Sequence, residues 1–432
     1  MTLLSRRTFA AAVPALAAAG ASKAATAPQP PGLGPLSGAA LHADVVRYAD
    51  FPTHRTATPG DVARSDWIYD ELRLAHQTVR RMPFSITRHD LTSYGLVIDG
   101  HRFAPLDAYP LWQPINTPAD GVTGPLTMAG SNRTGMRDAI AYLEVDGLIE
   151  LSLLPQQLGE AARQGARAAV VMAVTPSGEL FGHGLRAPPA LPTLMVGAKH
   201  RERLLAAATA KAQAKVLIQS EAAANAQAYE VEGRLDRGLK RIVVSTPTSA
   251  WFASAGERGP GVALFLGLAR WLAGRQGEVS YTFVASSGHE LYGLGKRSYL
   301  EAHAPKPAYT LAWLHLGASI AVYEFERAPD GIRSTGRAQR GSRLLTNDDG
   351  LLSLLQHSFQ GVGQFEPRKS TDARGELGLM FEAGYRAFGF EGGHAYFHAP
   401  NDLPFVTGSD ILEPVGDALR RTLLALEAGA AT

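Results

Sequence analysis

Apolar positions recur every three or four residues through Thr58–Ala75 (TPGDVARSDWIYDELRLA), where Val62, Trp67, Ile68 and Leu72 share a face behind Thr58 and Pro59, so the spacing predicts a helix. Short alternating segments follow to about Leu111. From about Asp120 to Glu221 the pattern is self-contained: a strand in DAIAYLEV, a helix in LPQQLGEAARQGA, a buried strand in RAAVVMAV, then a strand and helix in LPTLMVGAKHRERLLAAA. Further on, Val-, Ile-, Phe- and Ala-rich runs (KRIVVSTP, VSYTFVASS, YTLAWLHLGA, YRAFGFEG) alternate with helical ones (GPGVALFLGLARWLAG, LLSLLQHSF, ILEPVGDALRRTLLALEAG). Apolar strands interleaved with helices predict an α/β fold with a mostly parallel sheet covered by helices on both faces. Ligands of such sheets bind beyond the carboxyl ends of the strands.

Composition narrows the picture. The 432 residues suffice for two or three domains. A net charge of +2 gives no broad basic surface, which argues against a nucleic-acid partner. There is no cysteine, hence no disulfide and no thiolate, so any metal must sit on His, Asp and Glu. The start of the chain, SRRTFAAAVPALAAAGASKAATA, pairs Arg6 and Arg7 with a short Ala-rich run. It reads as a twin-arginine export signal over residues 1–27, cleaved near Ala25–Ala27, with a plain secretory signal as the alternative. A periplasmic or secreted protein is therefore expected, and PQPPGLGPLSG (28–38) is expected to be a linker. No later apolar run is long enough to span a membrane.

The strand-end rule selects candidate chemistry. His289 and Glu290 follow one strand, His315 lies near the end of the next, and His394 and His398 follow the last. The stretch SSGHELYGLG begins like the zinc-protease motif H-E-x-x-H but lacks its second histidine. Imidazoles with a carboxylate suit zinc. His315 in an apolar strand reads more readily as a hydrogen-bonded core histidine than as a ligand, whereas His398, ahead of Pro400 and with Asp402 placed to orient it, is the stronger ligand candidate.

Two resemblances follow from these residues. Gly165-Ala166 with Ala168, Val170 and Val171, and Pro192-Thr193 with Val196-Gly197, resemble a protease-associated domain, implying an inserted lid or docking module over 120–221. On either side of it, 39–119 and 222–432 would form the N-terminal and main parts of a peptidase-like domain. From about Asn225 onward the segments resemble, in order, the zinc aminopeptidase and glutaminyl cyclase family, family twenty-eight of the metallopeptidases. Phe397-His398-Ala399-Pro400-Asn401-Asp402 is similar to its final loop, Y-H-x-P-x-D, and GHELYGLGKRSYL to its E-E-x-G-L-x-G-S segment. The resemblance places His398 and Glu290 on metal-ligand positions and His289 on the catalytic base. Glu257 falls at or next to the bridging aspartate, Ser249 on an aspartate, and Pro247 and Gly317 where a ligand histidine and a ligand aspartate belong. It implies an aminopeptidase-like sandwich and a hydrolase of peptides or small amides. Its altered site would hold one zinc on His289, Glu290 and His398, with His315 as fourth ligand or as a residue orienting one. The base would be His289 if it does not ligate, and otherwise Glu257 or Asp402. The alternative is a metal-free relative that binds peptides or glycans through the old cleft and the inserted domain.

Overall fold

The computed structural model describes residues 33–130, 135–329 and 331–430; the residues expected to form an export signal, and those of the expected linker as far as residue 32, lie outside them. In chain order the elements are α1 (Gly38–Ala49), α2 (Pro59–Leu74), β1 (Thr78–Ile98), β2 (His101–Arg102), β3 (Ala108–Pro110), β4 (Val122–Met128), β5 (Ile140–Asp146), α3 (Gly147–Arg163), β6 (Ala168–Val174), β7 (Thr193–Gly197), α4 (Arg201–Ala210) and β8 (Gln213–Leu235). There follow β9 (Arg241–Pro247), α5 (Gly259–Ala273), β10 (Ser280–Ser286), α6 (Leu294–Ala302), β11 (Thr310–His315), β12 (Tyr323–Ala328), β13 (Gly331–Ala338), β14 (Arg343–Thr346), α7 (Asp349–Ser358), β15 (Arg368–Lys369), α8 (Gly375–Glu382), β16 (Ala387–Glu391) and α9 (Ser409–Ala430).

One sheet path runs β15-β14-β16-β11-β9-β10-β8-β4-β5-β6-β7-β3, with β1 paired along β8 and β2 along β1. At its centre β16, β11, β9 and β10 are mutually parallel, so their carboxyl ends share one edge. Every residue of β10 is buried, and every residue of β9 after Arg241, as expected of parallel strands covered on both faces. The alternating segments before Leu111 are mainly one 21-residue strand, β1, antiparallel to the 23-residue β8. Both strands run past the ends of their neighbours, and the 214–223 part of β8 pairs with residues 88–98 of β1. The core of residues 96–218 packs on both faces of β5, β6 and β7, with Tyr142, Val170 and Val196 on one side and Leu143, Val171 and Met195 on the other.

Helix α5 carries the site. Its sequence, GPGVALFLGLARWLA, is apolar nearly all round, and it is buried from Gly259 to Ala269 between β9 on one side and α1 and α9 on the other. Pro260 stands in its first turn, where a missing N–H costs nothing. A Cβ on Gly261 would lie 2.9 Å from the Leu316 carbonyl oxygen and 3.0 Å from Thr246 Oγ1, so the helix start is pressed onto the ends of β9 and β11. That contact delivers Ser254–Arg258 to the carboxyl edge of the sheet. Among the described residues no helix is long and apolar enough to cross a membrane.

Gly261→Ala tests this seating. Alanine favours a helix interior by about 1 kcal/mol, but here the added methyl must displace backbone. The variant is expected to lose about 1–3 kcal/mol in urea denaturation, whereas an unchanged or raised midpoint would show that the helix start is free to move.

Candidate active site

The carboxyl edge opens into a cleft of about 430 Å³ whose lining includes Arg258, His289, His315, Glu376, Phe390 and Phe397. The predicted residues reach it from different elements. His289 and Glu290 sit in a short turn after β10, entered through Gly288 at φ 81° and left through Tyr292 at φ 60°. The left-handed Gly288 turns the chain sharply, so two adjacent side chains that would diverge in a strand each find a separate partner.

His289 Nδ1 lies 3.1 Å from Glu376 Oε1, with the imidazole 24% exposed and the carboxylate 1%. Burial pushes the Glu376 carboxyl up, but the hydrogen bond and charge of His289 outweigh it and hold the pKa at about 2. An ionised carboxylate only accepts, so Nδ1 carries the proton of this contact and, in the uncharged form of the ring, Nε2 is the acceptor. Glu376 was not foreseen. Its signal is one carboxylate in the apolar run of RGELGLMF, and that turn of α8 is buried.

Glu290 accepts the Ser249 hydroxyl at 2.6 Å, and Ser249 Oγ accepts the His289 N–H at 3.0 Å. The other Glu290 oxygen faces Arg258 Nη2 at 3.5 Å, and the same nitrogen lies 2.8 Å from Glu257 Oε1. Arg258 is buried and gives its Nε–H to the Ser249 carbonyl at 3.3 Å. Burial opposes ionisation of Glu257, yet Arg258 and His398 together hold its carboxyl far below the usual range. Arg258 was also missed; Glu-Arg between glycines gives no local sign that the guanidinium turns inward.

His398 sits at φ 57°, which for a non-glycine residue costs about 1–2 kcal/mol. Reciprocal bonds hold it there: Gly182 N–H to the His398 carbonyl at 2.8 Å, and His398 Nδ1–H to the Gly182 carbonyl at 3.0 Å. Nε2 then meets Glu257 Oε1 at 3.2 Å. Asp402, expected to orient His398 or act as a base, is turned to other partners. It is fully buried and accepts the Gly256 and Glu257 N–H groups at 2.7 and 3.0 Å. Its imidazole neighbour is His394, at 3.2 Å.

His315 is buried, with Nδ1 3.0 Å from Ser245 Oγ. That oxygen also accepts the Trp313 indole N–H at 2.8 Å. Burial pushes the His315 pKa down to about 3.

No family model matches the sequence, and no curated protein matches it. Solved structures do. A zinc aminopeptidase from Bacillus subtilis superposes with a TM-score of 0.71 at 16% identity, over 90% of this chain and 95% of that one. A peptidase precursor of metallopeptidase family twenty-eight from Shewanella amazonensis gives 0.73 at 14%, over 90% and 93%. An aminopeptidase from Aneurinibacillus sp. strain AM-1 gives 0.65 at 15%, over 91% and 95%. The fold is that of the zinc aminopeptidases.

On this aminopeptidase fold the side chains do not fit the expected zinc. Among the described residues no three of His, Cys, Asp or Glu are grouped to hold a metal. His289, Glu290, His398 and His315 each turn to a different partner. Arg258 already supplies a cation that does not deprotonate. A divalent ion within about 4 Å of it would be repelled by about 8 kcal/mol at an effective dielectric constant of 20. Nor is Gly317 a vacancy for an aspartate, because a Cβ there would lie 2.0 Å from the Phe390 carbonyl oxygen.

Two outcomes follow. Gly317→Asp is expected to destabilise the protein by about 3 kcal/mol in thermal or urea unfolding and to bring no zinc uptake; a stable, metal-binding variant would contradict the clash. His315 is charged more readily unfolded, near 6.5, than folded, near 3. Its contribution to stability is therefore complete above about pH 6.5 and lost as pH falls towards 3. Urea midpoints between pH 7 and 4 are expected to fall less steeply in His315→Gln than in the wild type.

Proposed function

We propose that this chain is an exported hydrolase of peptide or small amide bonds whose general base is the His289–Glu376 pair. The observation that carries this reading is the 3.1 Å contact of His289 Nδ1 with a buried, ionised carboxylate, in an imidazole that lines the cleft. The likeness in fold to zinc aminopeptidases supports the substrate class, but no step is routed through a metal. His289 Nε2 takes a proton from water as the water attacks the carbonyl carbon. Glu376 stabilises the imidazolium so formed. His315 Nε2–H and the Arg258 guanidinium, both lining the cleft, supply donor and positive charge for the developing oxyanion. As the C–N bond breaks, the imidazolium returns its proton to the leaving amine. The segment 120–221 is proposed to serve as the lid, because its Gly182 carbonyl accepts from His398 beside the cleft.

A second reading has its own observation. Glu257 and Glu290 are both paired with Arg258 and are not available to substrate, which favours a metal-free module that binds peptides in the cleft.

Hydrolysis of aminoacyl anilides and small amides separates the two. Activity should persist in chelator and fall by about 100-fold or more in His289→Ala and in Glu376→Gln, with folding intact by circular dichroism. Wild-type protein that binds peptides but cleaves none would favour the binding module. Activity abolished by chelator would overturn the metal-free mechanism.

A further inference from the structure

Two carboxylate oxygens face one guanidinium nitrogen, and an imidazole nitrogen meets one of the two oxygens. Arg258 Nη2 lies 2.8 Å from Glu257 Oε1 and 3.5 Å from Glu290 Oε1, and His398 Nε2 lies 3.2 Å from the same Glu257 oxygen. The guanidinium and both carboxylates are buried, and the imidazole is 17% exposed. Neither carboxylate oxygen makes a geometrically sound hydrogen bond; each meets Arg258 by charge alone. A guanidinium chosen for hydrogen bonding presents its planar fork to a carboxylate in two parallel bonds. Here a single nitrogen stands between two carboxylates contributed by different segments, the turn before α5 and the turn after β10.

The imidazole is also prepared in the manner of a ligand. Its Nδ1–H is held by the Gly182 carbonyl, the arrangement that orients metal-bound histidines and leaves Nε2 facing the ion. Arg258 itself is anchored by its Nε–H on the Ser249 carbonyl, so the position of the guanidinium is set by the backbone as well as by charge.

We propose that the Arg258 guanidinium is the permanent cation of this site, standing where Glu257, Glu290 and His398 would otherwise hold a zinc ion, and that removing it uncovers a one-zinc site. The set differs from the four residues expected from sequence: Glu257 enters it, and His289 and His315 leave. This inference rests on the charge geometry alone and holds whether or not the cleft hydrolyses amides.

The test is zinc titration of full-length protein by calorimetry, with elemental analysis after dialysis. Wild type is expected to take up no stoichiometric zinc at neutral pH. Arg258→Ala is expected to bind one ion at least about 100-fold more tightly than wild type, and the double variant Arg258→Ala/His398→Ala to lose that gain, since removal of a ligand exceeds the roughly 10–100-fold effect of an orienting partner. Arg258→Ala leaves two buried carboxylates unpaired, so zinc should also raise its melting temperature. Arg258→Met keeps the packing of the arginine stem and provides the same readout if the alanine variant does not fold. Stoichiometric zinc in wild type that is lost in Glu290→Gln would overturn the proposal. So would a folded Arg258→Ala or Arg258→Met protein that binds zinc no better than wild type.

Discussion

Two carboxylates buried at the carboxyl edge of a parallel sheet require a cation, and Arg258 provides it. Glu257 and Glu290 come from different turns, and both are almost completely removed from water. Left unpaired, either would be a large penalty, because breaking a buried pair strands an uncompensated charge. The requirement reaches outward. Arg258 can stand there only because α5 begins against the ends of β9 and β11, which glycine at 261 permits. Glu257 is aimed inward only because Asp402 holds the amides of Gly256 and Glu257. The last loop, the start of the central helix and the turn after β10 are thereby bound into one charged unit.

A second buried cluster lies beneath the same cleft. The Lys296 ammonium has no hydrogen-bond partner and packs 5.4 Å from the Tyr299 ring and 5.9 Å from the Trp313 ring. Burial drives its pKa down, opposed by the charges of Glu230 and Glu376. Glu230 in turn is pushed up by burial and accepts the Ser286 hydroxyl at 2.8 Å. Lys296 contributes to keeping Glu376 ionised behind His289, although its weight there is less than that of His289 itself. The charge beneath the cleft is therefore set by neighbours on β8, α6 and α8, well outside the turn that carries the imidazole.

Sequence patterning alone determined the α/β alternation, the central apolar strands and the places where they end. Period and apolarity are local properties, and strand ends are where polar residues can collect. It also found His289, Glu290, His315, His394 and His398, since histidines after apolar runs are visible one at a time. What it could not supply was partnership. Asp402 was read with His398, four residues away along the chain, but the fold gives it to His394 and to two amides of the α5 turn. His315 was read as a core histidine or a fourth ligand, and the fold turns its Nδ1 onto Ser245 Oγ, which also accepts from Trp313. Gly317 looked like an empty ligand position, yet the neighbouring β16 backbone fills it. Glu376 and Arg258 carried no motif, because their roles depend on which side chains stand opposite across 87 and 32 residues of chain. Pairing across such separations is set by sheet register and helix packing, and so only the tertiary structure could decide which charge meets which.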